Sequence, residues 1–135
     1  MAGLVSMEML PAELRRIVSE ARSQTTLMTA SLELPDRLFE RLQEAEERGI
    51  RIRLLYDRAE WTEPQRRWLL AARGVELYRF EHLRANCFFN EERMIVSSLT
   101  LREYAARTYR GMSLLIRGSR EKELFRKAVS EAESI

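Results

Sequence analysis

The sequence is poor in the residues that most often catalyse reactions or hold metals, with one histidine and one cysteine in 135 residues. A single cysteine, Cys87, excludes an internal disulfide and agrees with a reducing compartment. No apolar run reaches the roughly 18 residues that a membrane-spanning helix needs, and the first residues lack the basic flank of a signal peptide. We therefore expect a cytoplasmic protein that does not contact a membrane.

Lysine is also scarce, because Lys122 and Lys127 are the only lysines among 23 basic residues. The 21 acidic residues leave a net charge of +2, and acids and bases alternate through most of the chain. Alternating charge is typical of a solvated surface, whereas a nucleic-acid partner needs a basic stripe. Nucleic acid is therefore the less favoured partner, although arginines cluster at residues 66–67 and 102–110.

Amphipathic helical segments are what the chain has in abundance. Gly49 and Gly74 follow two of them, at the position where a left-handed C-terminal cap forms. Thr62 and Gln65 have the spacing of a capping box. Apolar residues at three- and four-residue spacing predict helices at residues 11–22, 36–48, 62–73 and 120–132.

Extended segments alternate with these helices. Strands are predicted at residues 25–32, 50–56 and 75–80, and a loop at residues 57–61. Helices that alternate with strands predict an α/β fold, with a mixed, mostly parallel sheet and helices on both faces. The length fits one domain, residues 1–135, in which residues 1–10 are expected to be a flexible N-terminus.

The stretch from His82 to Ile116 has its own pattern: a strand, a turn at residues 90–93, a second strand, a short helical crossing and a third strand. Ligands of open α/β sheets bind where strands end. The candidate ligand-binding positions are therefore Tyr56–Asp57, the strand that leads into Cys87, and the hydroxyls that follow the second strand. Those hydroxyls, at residues 97, 98 and 100, are predicted either to hold a ligand or to cap a helix that begins at Thr100.

The layout of LRANCFFNEERMIVSSLTLREYAARTYRGMSLLI resembles the motif region of the phospholipase D-like superfamily, in its short bacterial form with a single motif. The pattern of that family is His-x-Lys, an apolar strand, an acidic residue at the turn, a second strand and a small-Ser-x-Asn element. The resemblance implies a phospholipase D-like fold and phosphodiester chemistry. The family's His attacks phosphorus, its Lys and Asn bind phosphate oxygens, and its acid orients the His.

The residues at the motif positions depart from this pattern. Arg84 stands at the His position, Asn86 at the Lys position and Thr100 at the Asn position, while Glu91 and Ser98 keep the acidic and Ser positions. A guanidinium stays protonated and cannot attack phosphorus, so no covalent phospho-enzyme forms. The resemblance therefore implies a catalytically inactive domain. These five residues, here called the motif set, would be the remnant of a phosphate pocket.

Two roles are open for Arg84. It could bind an anion in that remnant pocket, because its planar fork suits phosphate. Alternatively, it could form an ion pair with Glu91 or Glu103.

Two functions follow. The first is a non-catalytic binding or interaction module, a regulatory or assembly subunit that docks on a protein partner. A single motif makes half of a site in this family, so the resemblance also implies a homodimer. The second is a phosphodiesterase or nuclease that uses His82, which requires His82, Arg84 and Asn86 to share one side of a strand. Placing His82 at the nucleophile position shifts the motif by two residues and puts Phe89 at the acidic position. A phenylalanine cannot orient a His, which disfavours this second function. No metal-ligand spacing is present, and no cofactor is expected.

Overall fold

The computed structural model describes residues 2–135, which form five helices and seven strands. The helices are α1 (Leu10–Ser19), α2 (Asp36–Glu47), α3 (Glu63–Ala71), α4 (Leu101–Ala106) and α5 (Lys122–Glu133). The strands are β1 (Gly3–Val5), β2 (Gln24–Glu33), β3 (Arg51–Glu60), β4 (Val75–Arg79), β5 (Cys87–Phe89), β6 (Arg93–Ser97) and β7 (Ser113–Arg117). Within these residues, no helix is long and apolar enough to cross a membrane.

All seven strands belong to one mixed sheet in the order β1-β7-β6-β5-β2-β3-β4. The pairs β2–β3 and β3–β4 are parallel, and the other four pairs are antiparallel. The predicted α/β class with a mixed sheet is confirmed. Its parallel part is smaller than predicted, because β5 and β6 are joined by a tight turn, which gives an antiparallel pair, and β7 also runs antiparallel to β6.

Local sequence signals account for several element boundaries. Gly49 ends α2 with a φ of +86°, a conformation that a glycine adopts without strain. Thr62 begins α3 through the predicted capping box with Gln65. The predicted loop at residues 57–61 is wrong, since β3 continues to Glu60 and pairs there with the last residues of β2. The sequence pattern does not reveal this extension, because three of its four side chains, Asp57, Arg58 and Glu60, are charged.

The core consists of two layers, because successive side chains of a strand point to opposite faces. Leu27 of β2 packs among α1, α2, α3 and α4, and Met28 packs on the side of α5. Helices therefore cover both faces, as predicted, but four lie on one face and one on the other. α5 packs on β6 and β7, and its last turn reaches Arg53 of β3. The α5 face of β2, β3 and β4 is consequently the less covered part of the sheet.

The N-terminal segment that was expected to be flexible contains a short edge strand. Gly3–Val5 pair with β7, with Leu4 opposite Leu114. α1 then begins at Leu10, one residue before the predicted start at Pro11. Met1 lies outside the described residues.

Candidate functional site

Four members of the motif set converge at one edge of the sheet. Met28 of β2 pairs with Cys87, Cys87 pairs with Val96, and the backbone N–H of Ser97 donates to the carbonyl of Asn86 at 2.9 Å. The start of β5 and the end of β6 therefore lie beside the end of β2. Arg84, Asn86, Ser98 and Thr100 all belong to this edge.

Asn86 joins three elements through its side-chain oxygen. Its Oδ1 accepts hydrogen bonds from Thr29 Oγ1 at 2.9 Å and from the backbone N–H of Ala30 at 3.2 Å. Thr29 Oγ1 in turn accepts from the backbone N–H of Leu101 at 3.0 Å. The amide oxygen of Asn86 therefore ties β2, through Thr29, to the start of α4.

The hydroxyls of the motif set also have structural partners. Ser98 Oγ accepts from the backbone N–H of Met112 at 2.9 Å, which ties β6 to the approach of β7. Thr100 Oγ1 accepts from the backbone N–H of Glu103, and the Glu103 carboxylate accepts from the backbone N–H of Thr100, both at 3.0 Å. The predicted N-terminal cap at Thr100 is confirmed. Glu103 is engaged in this cap, and it makes no ion pair with Arg84.

Glu91 lies at the opposite end of the β5–β6 hairpin. Its carboxylate accepts four hydrogen bonds, from the backbone N–H groups of Arg22, Ser23 and Gln24 and from Ser23 Oγ, at 2.6–2.8 Å. Partial burial alone raises the pKa of Glu91, but these four bonds outweigh it and lower the pKa to about 2. Glu91, which was expected in the remnant pocket, therefore fixes the turn between α1 and β2, apart from the other four members of the motif set.

Arg84 lines a cleft of about 390 Å³ that carries three arginines, whereas Asn86, Ser98 and Thr100 are not among its lining residues. Arg58 comes from the end of β3, Arg84 from the segment before β5, and Arg102 from the first turn of α4. His82 and Asp57 also line it, together with Ala30, Ser31 and Leu83. We call this feature the arginine cleft.

The charges in the arginine cleft are incompletely compensated. Within residues 2–135, the side chains of Arg58 and Arg84 have no ion-pair or hydrogen-bond partner. Arg102 lies 3.5 Å from the Glu60 carboxylate in an exposed pair, which high dielectric weakens. The Asp57 carboxylate faces Arg79 at 3.3 Å and accepts the backbone N–H of His82 at 3.1 Å. The cleft can therefore hold an anion.

His82 does not lie on a strand. It belongs to the turn after β4 with a φ of +65°, and β5 begins at Cys87. The expected strand alternation of His82, Arg84 and Asn86 is therefore wrong. His82 and Arg84 nonetheless line the same cleft. In the part of the chain that the structure describes, the His82 ring has no hydrogen-bond or ion-pair partner, so no carboxylate orients it.

Cys87 is an inert core residue, as predicted. Its thiol is buried 3.7 Å from Met28 Sδ, and burial raises its pKa to about 11. Among the described residues, no three His, Cys, Asp or Glu side chains are grouped closely enough to hold a metal ion.

Solved structures share this architecture. NucT from Helicobacter pylori superposes with a TM-score of 0.73 at 14% identity, over 98% of this chain and 94% of NucT. Nuc from Salmonella typhimurium, a phospholipase D family member, gives 0.63 at 15% identity, over 87% of this chain and 80% of Nuc. The chain has the phospholipase D-like fold.

Part of a DNA-binding protein is also similar in structure to this chain. TrmBL2, an archaeal chromatin protein with a novel mode of DNA binding, matches with a TM-score of 0.61 at 15% identity. The match covers 98% of this chain and 52% of TrmBL2. No protein-family profile and no curated protein sequence matches the chain.

Two cationic residues of the cleft were missed by the sequence analysis. Arg58 lay in the segment predicted as a loop, and Arg102 was noted only as a member of the arginine cluster at residues 102–110. The available signal was position, because Arg58 directly follows Tyr56–Asp57 near the end of a parallel strand, where ligands of open α/β sheets bind.

Proposed function

We propose that this protein is a non-catalytic phospholipase D-like module that binds phosphate groups in the arginine cleft. The supporting observation is the position of Arg84, which replaces the family's His and lines the cleft beside Arg58 without a carboxylate partner in the described chain. Guanidinium groups bind phosphate oxygens in a bidentate manner and stay charged at every physiological pH. Such a module serves as a regulatory or assembly subunit.

The same geometry argues against a phosphoryl-transfer enzyme. A covalent intermediate needs a nucleophile activated by a partner. The arginine at the His position has no lone pair to offer, and His82 lacks an orienting carboxylate in the described chain. Asn86, at the Lys position, uses its oxygen to bind Thr29 and Ala30.

Single-stranded nucleic acid is the ligand class that we propose for the cleft. The net charge of +2 disfavours nucleic acid over the whole surface, but binding depends on the local charge. Three arginines from three different elements face one open groove, and a phosphodiester backbone presents regularly spaced anions. The DNA binding of TrmBL2, which shares the fold, agrees with this choice.

Neutralising two cleft arginines tests the proposal. We expect Arg58→Gln/Arg84→Gln to weaken binding of a labelled single-stranded DNA by about tenfold or more in fluorescence anisotropy at low salt. Because two phosphate contacts are lost, the slope of log K against log salt should fall by about 1.4. The double variant Arg66→Gln/Arg67→Gln, on the exposed side of α3, removes the same charge and should retain nearly full affinity. An equal loss in both variants would refute a specific cleft.

Hydrolysis distinguishes the enzymatic alternative in the same preparation. We expect no turnover of bis(p-nitrophenyl) phosphate or of the bound DNA. Turnover that His82→Ala abolishes would establish the phosphodiesterase instead.

We further propose that the module is a homodimer. Leu4 of β1 and Val96 of β6 both lie opposite Leu114 of β7, so the three side chains form one cross-strand row. Leu4 is 73% exposed and Met112, next to this row, is 66% exposed. An exposed apolar row of this kind favours association.

The mass in solution tests the dimer. Light scattering should give twice the chain mass of 15.9 kDa at micromolar concentration. Val96→Glu should shift the mass to that of the monomer, because it places a charge in the row. Leu70→Glu, at an exposed position of α3, is the matched control and should leave the dimer intact. A wild-type mass of 15.9 kDa across this range would contradict the proposal.

A further inference from the structure

A second cavity lies on the face of the sheet that α5 covers incompletely. Its volume is about 170 Å³, and it lies between the strands β2, β3 and β4 and the last turn of α5. Met28, Leu55, Phe80 and Phe89 form its apolar floor. We call it the α5 cavity. It shares no lining residue with the arginine cleft.

The floor suits a small aromatic ring. Met28, Leu55 and Phe89 belong to adjacent strands and share the α5 face, as strand alternation requires. An apolar cavity of roughly 150 Å³ is sufficient to bind benzene in another protein. Phe80 and Tyr78 add aromatic faces at the outer side, where edge-to-face contact with a ring is favourable.

One cation stands at the rim of this apolar floor. Arg53 is partly buried, and its Nε donates to Thr26 Oγ1 at 3.2 Å. Its Nη2 donates to the Glu133 carboxylate at 3.0 Å. Arg53 therefore offers a guanidinium within reach of a ligand that occupies the cavity.

The Glu133 carboxylate, which pairs with Arg53, is weakly held. Glu133 is exposed and is the last residue of α5. A negative charge at the C-terminus of a helix is unfavourable, because the helix dipole is negative there. Arg53 thus carries a partner that a better-placed carboxylate can displace, because the Glu133 side chain is 41% exposed to water.

We propose that the α5 cavity binds a small aromatic carboxylate. The ring contacts Met28, Leu55 and Phe80, and the carboxylate takes the place of Glu133 on Arg53. The apolar floor supplies affinity for the ring and the guanidinium selects the acid. This site is separate from the arginine cleft, and its failure would leave the proposed function untouched.

Benzoate is the probe that tests this site. We expect saturable binding of benzoate in isothermal titration calorimetry. Benzyl alcohol, which lacks the carboxylate, and acetate, which lacks the ring, should each bind more weakly by about tenfold or more. Arg53→Gln should weaken benzoate by about tenfold. Arg51→Gln is the matched control, because Arg51 lies on the same strand and face and is paired with Glu76. It should change the affinity by less than about twofold.

Glu133→Gln should change the benzoate affinity in the opposite direction to Arg53→Gln. A gain in affinity cannot result from a variant that fails to fold. Glu133 is exposed, so its replacement leaves the core intact, and we expect benzoate to bind several-fold more tightly because the competing carboxylate is gone. The proposal is overturned by any of three results: no saturation with benzoate up to about 10 mM, equal affinity for benzyl alcohol, or no gain in affinity with Glu133→Gln.

Discussion

Replacing Glu13 with alanine should lower the free energy of unfolding by about 3 kcal/mol in urea denaturation at neutral pH. Glu13 of α1 contacts Arg93 of β6, with 3.4 Å between Oε2 and Nη1. Both side chains are nearly buried, with 10% and 6% of their surfaces exposed. Removing the carboxylate leaves a buried charge, and within the described chain the Nε of Arg93 already lacks a hydrogen-bond partner. The half-exposed Glu20, 3.7 Å from Nε, would then be the carboxylate that faces this buried guanidinium, and a buried charge that loses its close partner is strongly destabilising.

Glu20 supplies the control for this ion pair, because it faces the same guanidinium from the surface. Its carboxylate lies 3.7 Å from Arg93 Nε, and its side chain is 50% exposed. Glu20→Ala should therefore cost less than about 1 kcal/mol, as exposed pairs do. Equal costs for the two variants would show that burial does not set the strength of this pair.

The Glu91→Gln variant should be destabilised by about 1–2 kcal/mol at pH 7. This figure is smaller than the full pKa shift would give, because water screens the partly exposed carboxylate. A glutamine cannot accept all four hydrogen bonds, because its NH₂ group would face backbone N–H groups. The folded state holds the pKa of Glu91 at about 2, below the ordinary value of 4.5. A depressed pKa contributes stability above the unfolded value, and this contribution is lost as the pH falls through the folded value.

The pH dependence separates this effect from a simple loss of packing. The difference between wild type and Glu91→Gln should be largest above pH 4.5 and should shrink as the pH approaches 2. Glu47→Gln, at an exposed position at the end of α2, is the control and should match the wild type throughout. A constant difference across this pH range would mean that the charge of Glu91 is not what stabilises the turn.

Local chemistry was enough to predict much of the fold. Gly49 and the Thr62–Gln65 pair mark helix ends through contacts within a few residues, which a sequence pattern contains. The end of β3 was missed because Arg58 and Glu60 are extended by pairing with β2, and pairing partners distant in sequence leave no local pattern. The predicted parallel share of the sheet was too large partly for the same reason, because the antiparallel pairs β1–β7 and β2–β5 join segments distant in sequence.

The sequence predicted where three members of the motif set lie, but not which contacts they make. Asn86, Ser98 and Thr100 were expected at one edge of the sheet, and the structure places them there. Their partners could not be read from the pattern, since Thr29 contacts Asn86 across 57 positions of the chain. The arginine cleft was missed for a related reason, because its three arginines come from elements far apart in sequence.

The pairing of β2 with β5 has a consequence for the order in which the chain is synthesised. Three residue pairs, Thr26–Phe89, Leu27–Phe88 and Met28–Cys87, join the parallel half of the sheet to the antiparallel half. The nascent chain therefore completes β2, β3 and β4 before the inner neighbour of β2 exists. Until residues 87–89 leave the ribosome, the inner edge of β2 is open, and an open edge pairs readily with strands of other chains. The inner edge of β2 therefore needs protection from other chains during this interval.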